Sequence, residues 1–465
     1  MKRLAIIDVV GLCQSVLGPS TPKINEFMRK GGLATIVPAF PAVTCTAQSN
    51  YLTGALPRQH GIVGNGWYNR ELAEVQFWKQ SNHVVQGRKL WEELRELDPK
   101  FTCAKLFWWY NMYSSADYSI TPRPIYPADG RKVFDIYSSP LTIRDEIKKD
   151  LGEFPFPAFW GPAAGVDSPQ GRSGAASRWI AESAKWVELK YQPTLSLIYL
   201  PHLDYNLQRY GPSHPIIAND LRQIDKIVGD MIDFCQRNSV GVLLLSEYAI
   251  TEVDTPVHLN RLFRRQGWIA IKDELGLEML DCGASKVFAV ADHQIAHVYL
   301  NDRSLENNVR ALLEQQAGID QVLVRTDQAR AGIDHPRAGD LVAVATERAW
   351  FTYYYWLEDR VAPDFARCVD IHRKPGYDPV ELFLDPAQPF VKLKIIARLL
   401  QKKLGFRMLM DVIPLDATLV KGSHGRHPAK TEHHPVLIAD QPNLISKLEL
   451  DSTEVYCVIR NAVLT

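Results

Sequence analysis

Five apolar runs of strand length limit what this chain can fold into: LAIID at 4–8, LATIVPAF at 33–40, LSLIYL at 195–200, VGVLLLS at 240–246 and VLIA at 436–439. Each is nearly continuous in its hydrophobicity rather than alternating. That pattern marks strands buried on both faces, as in a parallel sheet sandwiched between helices. Amphipathic helices are predicted over 173–191, opening on a Ser cap, and over 218–238, both with apolar residues at three-to-four spacing. The fold class is therefore α/β, with a mostly parallel central sheet and helices on both faces. At 465 residues the chain exceeds the roughly 250–300 at which single cores stop growing. The stretch 253–400 has shorter apolar runs, the aromatic segment RAWFTYYYWLED at 348–359 and the Pro/Gly-bearing HRKPGYDP at 372–379. It reads as an inserted cap over the site, leaving 1–252 and 401–465 as the two parts of the core.

In open α/β sheets the ligand site lies at the carboxyl ends of the strands. Asp8 ends the first run, Thr44 follows the second, Asp204 follows the third and Glu247 follows the fourth. Thr44 precedes a short helix predicted over 46–54. A helix N-terminus offers free backbone N–H groups and a positive dipole end, suited to an anionic phosphoryl group. The ordinary role for a threonine there is an N-cap. As a nucleophile it would need a base or a metal ion to take its proton, because a threonine hydroxyl is weak at neutral pH. Asp8, Asp204, Glu247 and His424 are the candidates to supply that help. Cys45, with no basic neighbour in sequence, is read as packing.

The spacing around Thr44 carries a resemblance. Thr44, Thr53-Gly54, His60-Gly61-Ile62 and Asn65 follow in order, with Thr53 nine residues and Asn65 21 residues after Thr44. A DxxxxxYGP pattern runs from Asp204 to Pro212, and a Gly-x-His-Gly pattern spans Gly422 to Gly425. Together these resemble the alkaline phosphatase superfamily, in its nucleotide pyrophosphatase/phosphodiesterase branch. The resemblance implies Asp8 as a metal ligand, Thr44 as nucleophile and metal ligand, Asn65 as the amide that steadies the phosphoryl oxygens, and Asp204 and His424 as ligands of the other metal. It implies hydrolysis of a phosphoester through a phosphothreonine intermediate, with two cations clamping the attacking and leaving oxygens.

Two positions depart from that pattern. The histidine expected four residues after Asp204 is Gln208, and the Asp-His pair expected after the fourth run is Glu247-Tyr248. Imidazole suits zinc, whereas oxygen ligands suit magnesium, manganese or calcium. The cofactor is thus one or two divalent ions, Zn, Mn or Mg, with Gln208, Glu247 and Tyr248 as altered ligands. His202, two residues before Asp204, is the first replacement imidazole to consider; His293 and His372 are others. The main reading is a metal-dependent phosphodiesterase or pyrophosphatase acting on a small molecule. Two alternatives stand beside it: a phosphonate or phosphomonoester hydrolase, and a degenerate member of the fold that binds a ligand or partner without turnover. A sulfatase is disfavoured, because residues 45–49 lack the C-x-P-x-R frame.

Lys plus Arg equals Asp plus Glu at 53 each, which argues against general nucleic-acid binding. No apolar run reaches the length of about 18 residues needed for a membrane span, and the N-terminal apolar stretch is broken at Asp8. Seven scattered cysteines without C-x-x-C spacing fit reduced thiols and a cytoplasmic location. The sequence is silent on oligomeric state.

Overall fold

The computed structural model describes residues 1–165 and 174–465. In the core, in chain order, are β1 (Leu4–Val9), β2 (Gly32–Val37), α1 (Thr44–Thr53), β3 (Cys103–Leu106), β4 (Tyr118–Pro122), β5 (Ile136–Ser139), α2 (Ala175–Tyr191), β6 (Leu195–Leu200), α3 (His202–Tyr210), α4 (Ile217–Arg237) and β7 (Gly241–Leu245). Then follow β8 (Val287–Asp292), β9 (Ile295–Leu300), β10 (Ile319–Leu323), β11 (Leu341–Ala345), α5 (Val391–Lys403), β12 (Val436–Ala439), β13 (Glu449–Asp451) and α6 (Val455–Leu464). Nine strands form the central sheet in the order β13-β2-β12-β7-β1-β6-β3-β4-β5. All five apolar runs are in it. β1 pairs in parallel with β6 and β7, and β3 with β6 and β4. β12 runs against β7 and β2, and β5 against β4. Continuous hydrophobicity reports burial on two faces but not direction, so the reversal of β12 was not visible in VLIA.

Alternate residues of the central strands serve separate cores. Ile7, Val9, Ile198 and Leu244 pack under α2 and α4, while Ile6, Leu197, Leu243 and Leu245 pack under α1 and α6. Both faces are therefore dry, and the strand ends are left as the place where polar groups collect. The helices expected at 173–191 and 218–238 are present as α2 and α4; the Ser cap at 173 lies outside the described residues. α1 begins two residues earlier than expected and ends at Gly54, whose φ of 63° is a left-handed cap that favours glycine.

Residues 287–345 build a separate four-stranded antiparallel sheet, β8-β9-β11-β10, with its own core. The aromatic segment at 350–356 is buried, most of it with Phe365, Val380 and Ile413 in a second core, so its rings are packing. Thr251–Glu252 pairs with Gly422–Ser423: the chain leaves the central core and returns to it at adjacent points. The expected boundary at residue 400 falls inside α5.

Arg209 of α3 stitches these parts together. Its buried guanidinium donates to the carbonyls of Gly161, Pro162, Ala164 and Leu382 and to Asn206 Oδ1. Arg209→Met would take the side-chain donor from the buried Ala164 and Leu382 carbonyls and from Asn206, so unfolding free energy in a denaturant titration should fall by about 3 kcal/mol.

Candidate active site

The parallel register of β1, β6 and β7 puts their carboxyl ends side by side, and α1 starts beside them. Asp8 is the last residue but one of β1, Glu247 and Tyr248 follow β7 by two and three residues, and Asp204 lies in the first turn of α3. Thr44 is the first residue of α1. The N-cap is Val43, in extended conformation and with no side-chain cap, so the threonine hydroxyl is not consumed as a cap. Instead Thr44 Oγ1 lies 2.9 Å from the Tyr248 hydroxyl. It also lies against the Glu247 carboxyl, whose pKa it helps to hold down.

Asp8 and Glu247 are fully buried and adjacent. Burial, and for Asp8 also the neighbouring charge of Glu247, pushes both carboxyls up, so the pair retains a proton where an exposed pair would not. Between them sits Gln48, one helical turn after Thr44 and on the same face of α1. Its Nε2 donates to Glu247 Oε1 at 2.6 Å and to Asp8 Oδ2 at 3.3 Å. Its Oε1 accepts from the Trp109 backbone N–H at 2.8 Å, which fixes the amide with its donor toward the acids. The 109–110 turn is in turn held by Lys105 Nζ, which donates to the carbonyls of Tyr110 and Trp109 at 2.7 and 3.3 Å.

Asp204 and Gln208 form a further pair of the site, and His424 stands beside Tyr248. Burial pushes the Asp204 carboxyl up to about 7, with the Gln208 amide acting against the shift. Gln208 Oε1 accepts from the Tyr377 hydroxyl at 2.9 Å, so its carbonyl oxygen already has a partner. His424 Nδ1 is 2.7 Å from the Ala42 carbonyl. A carbonyl only accepts, so Nδ1 carries the hydrogen and Nε2 keeps its lone pair. Burial lowers the His424 pKa to about 3, which keeps the ring neutral. Four rings form a column: Tyr248 on His424 (centroids 3.6 Å apart, 7° between planes), His424 on His293 (3.6 Å) and His293 on Tyr377 (3.7 Å). Asn65 accepts from Cys45 N at 3.1 Å and donates from Nδ2 to Asp292 Oδ1, also at 3.1 Å. Asp292 Oδ2 further accepts from the Asn65 backbone N–H at 2.7 Å.

Of the sequence candidates, the structure brings together Asp8, Thr44, Glu247 and Tyr248, with Asn65 bonded to the Cys45 N–H beside Thr44 and His424 stacked on Tyr248, while Asp204 and Gln208 form a neighbouring pair. His202 does not join either set: it points to α4, where its Nε2 is 3.9 Å from Asp220 Oδ1. His372 lies beside the Phe77 carbonyl, 3.4 Å away. Sequence reasoning missed Gln48, Asp292 and Tyr377. Only Gln48 had a legible signal, its i+4 spacing from Thr44.

No group of three or more His, Cys, Asp or Glu among the described residues is close enough to hold a metal ion. The donor set nonetheless has a preference. Asp8 Oδ1 and Glu247 Oε2 are buried acceptors without partners, and with the Thr44 hydroxyl they fit one oxygen-bound cation of the magnesium or manganese kind. The Asp204 side does not fit a second ion of a zinc pair, since the imidazole expected there is Gln208 and the carbonyl oxygen of its amide is held by Tyr377.

The fold is alkaline phosphatase-like. The type I phosphodiesterase/nucleotide pyrophosphatase family matches over residues 4–378, and the chain belongs to that family. An uncharacterized pyrophosphatase/phosphodiesterase of Schizosaccharomyces pombe is 21% identical over 254 residues, half of this chain and 43% of the yeast protein's length. Murine ectonucleotide pyrophosphatase/phosphodiesterase 5, in an inactive form bound to AMP, superimposes with a TM-score of 0.58 at 12% identity, covering 100% of this chain and 95% of its own. Phosphonoacetate hydrolase from Sinorhizobium meliloti bound to phosphonoformate gives 0.60 at 13% identity, covering 99% and 96%.

Burial lowers the Lys105 pKa from 10.5 to about 7. Between those values the unfolded chain holds a proton that the folded chain lacks, so this group makes stability rise with pH across the window. Lys105→Met should remove about 1.4 kcal/mol per pH unit from the slope of stability between about pH 7.5 and 10, followed by denaturant unfolding at each pH.

Proposed function

We propose that this protein hydrolyses a phosphoester of a small molecule, a phosphodiester or pyrophosphate in the first instance, with Thr44 as nucleophile and one oxygen-bound divalent cation as cofactor. The observation that carries the reading is the Thr44 hydroxyl itself: uncapped, buried, at the N-terminus of α1, in contact with Tyr248 and Glu247. Such a cation, held by Asp8, Glu247 and Thr44, would lower the pKa of the threonine hydroxyl. The Tyr248 hydroxyl keeps the Thr44 oxygen in one rotamer. Thr44 Oγ1 attacks phosphorus, the ester oxygen leaves, and water then cleaves the phosphothreonine. The N-terminus of α1 and the second Nδ2 hydrogen of Asn65 supply donors to the phosphoryl oxygens. Asp292 holds the Asn65 amide, and His424 offers a neutral Nε2 lone pair on the opposite side. Phosphonate and phosphomonoester substrates use the same groups. The free thiols of all seven cysteines fit the reducing cytoplasm as its location.

A second reading is favoured by one observation, the Gln48 amide between the two acids, which does part of the work a cation would do. In that case the protein binds a phosphoryl ligand and does not turn it over. Turnover of a bis-aryl phosphodiester by metal-stripped protein resupplied with Mg, Mn or Zn separates the two. Activity is expected with Mg or Mn in preference to Zn, and Thr44→Ala should lower kcat by roughly a thousandfold or more. Binding of a phosphonate analogue with no metal-stimulated turnover, or a Thr44→Ala protein as active as wild type, overturns the enzymatic reading.

A further inference from the structure

α5 has an unusual surface. Val391 and Ile395 pack against the aromatic core of the inserted region, and Lys394 and Arg398 bind Asp411 at 2.8 and 3.2 Å, which fastens this face of the helix to the body. The opposite face is apolar and open. Leu393, Ile396, Leu400 and Leu404 recur at three- and four-residue spacing with exposures of 62, 52, 55 and 73%, and no residue of α5 is buried. Phe390 and Phe406, 71 and 66% exposed, extend the stripe at both ends. Between Asp385 and Asp411 there is no acidic residue, while six basic ones occur: Lys392, Lys394, Arg398, Lys402, Lys403 and Arg407. Two are occupied by Asp411; the other four lie on the exposed surface.

A distant segment continues the patch. The hairpin closed by Ile125 and Val133 lies against the end of α5, with Lys402 Nζ 3.5 Å from the Lys132 carbonyl and Arg407 Nε 3.0 Å from the Asp129 carbonyl. It adds exposed Tyr126 and Phe134, with Lys132 near both rings.

We propose that this face docks on an anionic lipid bilayer, with α5 lying in the plane of the headgroups. An apolar stripe edged by lysine and arginine matches acyl chains beneath a layer of negative charge. A second copy of the chain fits poorly, because pairing α5 with itself would set cations against cations. The helix lies on the membrane and does not cross it: its 13 residues extend about 20 Å, and no helix among the described residues is long and apolar enough to span a bilayer.

Flotation of the whole protein with vesicles tests this, using phosphatidylcholine alone and phosphatidylcholine mixed with phosphatidylglycerol. The protein is expected to float with the anionic vesicles and not with the neutral ones. Binding should weaken as ionic strength rises from about 0.01 to about 1 M, over which the Debye length falls from about 30 to about 3 Å. Leu393→Glu/Leu400→Glu should abolish flotation with an unchanged Tm, since both side chains are exposed. Lys392→Gln/Lys403→Gln, which keeps the apolar stripe, should weaken it by roughly fivefold for each charge removed. Absence of vesicle binding at low salt, as for a helix that serves an acidic protein partner, overturns the proposal; so does equal binding to neutral vesicles or full binding by the Leu393→Glu/Leu400→Glu protein.

Discussion

Two carboxyls buried side by side must be given donors or a positive charge, and much of the site is arranged around that need. Asp8 and Glu247 meet because β1 and β7 run parallel in adjacent positions of the sheet. Separated from water, they would repel each other strongly as two anions. The Gln48 amide, oriented by the Trp109 N–H, supplies donors to one edge of the pair. That orientation depends on the 109–110 turn, and the turn depends on a buried lysine that gives up much of its preference for charge to be there. A feature two or three contacts from Thr44 therefore sets the electrostatics of the threonine's surroundings.

The same arrangement explains why the two halves of the site differ. On the Asp8 side the acids keep unpartnered outer oxygens, so a hard cation and the Thr44 hydroxyl can share them. On the Asp204 side Gln208 is tied to Tyr377 and contributes an amide where the family pattern has an imidazole. A single carboxyl and a single neutral histidine offer a second divalent ion little compensation for lost water. Asp204 Oδ1 and His424 Nε2 are also buried without partners, so the asymmetry lies in the ligand types, two carboxyls on one side against one carboxyl and an amide on the other.

Much of the architecture was legible because apolar continuity reports burial directly: all five runs are strands of one sheet, and the oxygen-bearing residues after them converge as the strand-end rule requires. Strand direction was not legible in VLIA, since both faces of an antiparallel interior strand are equally dry. Thr44 was expected before its helix and is inside the first turn, a shift that matters because it frees the hydroxyl from capping. His202, expected beside Asp204 from its place two residues before it, does not share its side: that proximity holds only if residues 202–204 are extended. They form the start of α3, where positions two apart point about 200° from each other around the axis. Asp292 and Tyr377 could not be found from local pattern, as they reach the site only through the fold of the inserted region.

The region 253–400 supplies side chains to the site itself. His293 and Tyr377 come from it, His424 and Tyr248 from the core, and the two pairs of rings meet where His424 stacks on His293 at 3.6 Å. The Tyr248 hydroxyl at one end touches the Thr44 oxygen, and the Tyr377 hydroxyl at the other end touches Gln208. Thr44 and Gln208 are thus joined through a column of rings to which the core and the 253–400 region each contribute two. Tyr248 serves both contacts at once: its ring stacks on His424 while its hydroxyl lies 2.9 Å from the Thr44 oxygen, which a shorter imidazole ring with no hydroxyl would not do in the same way.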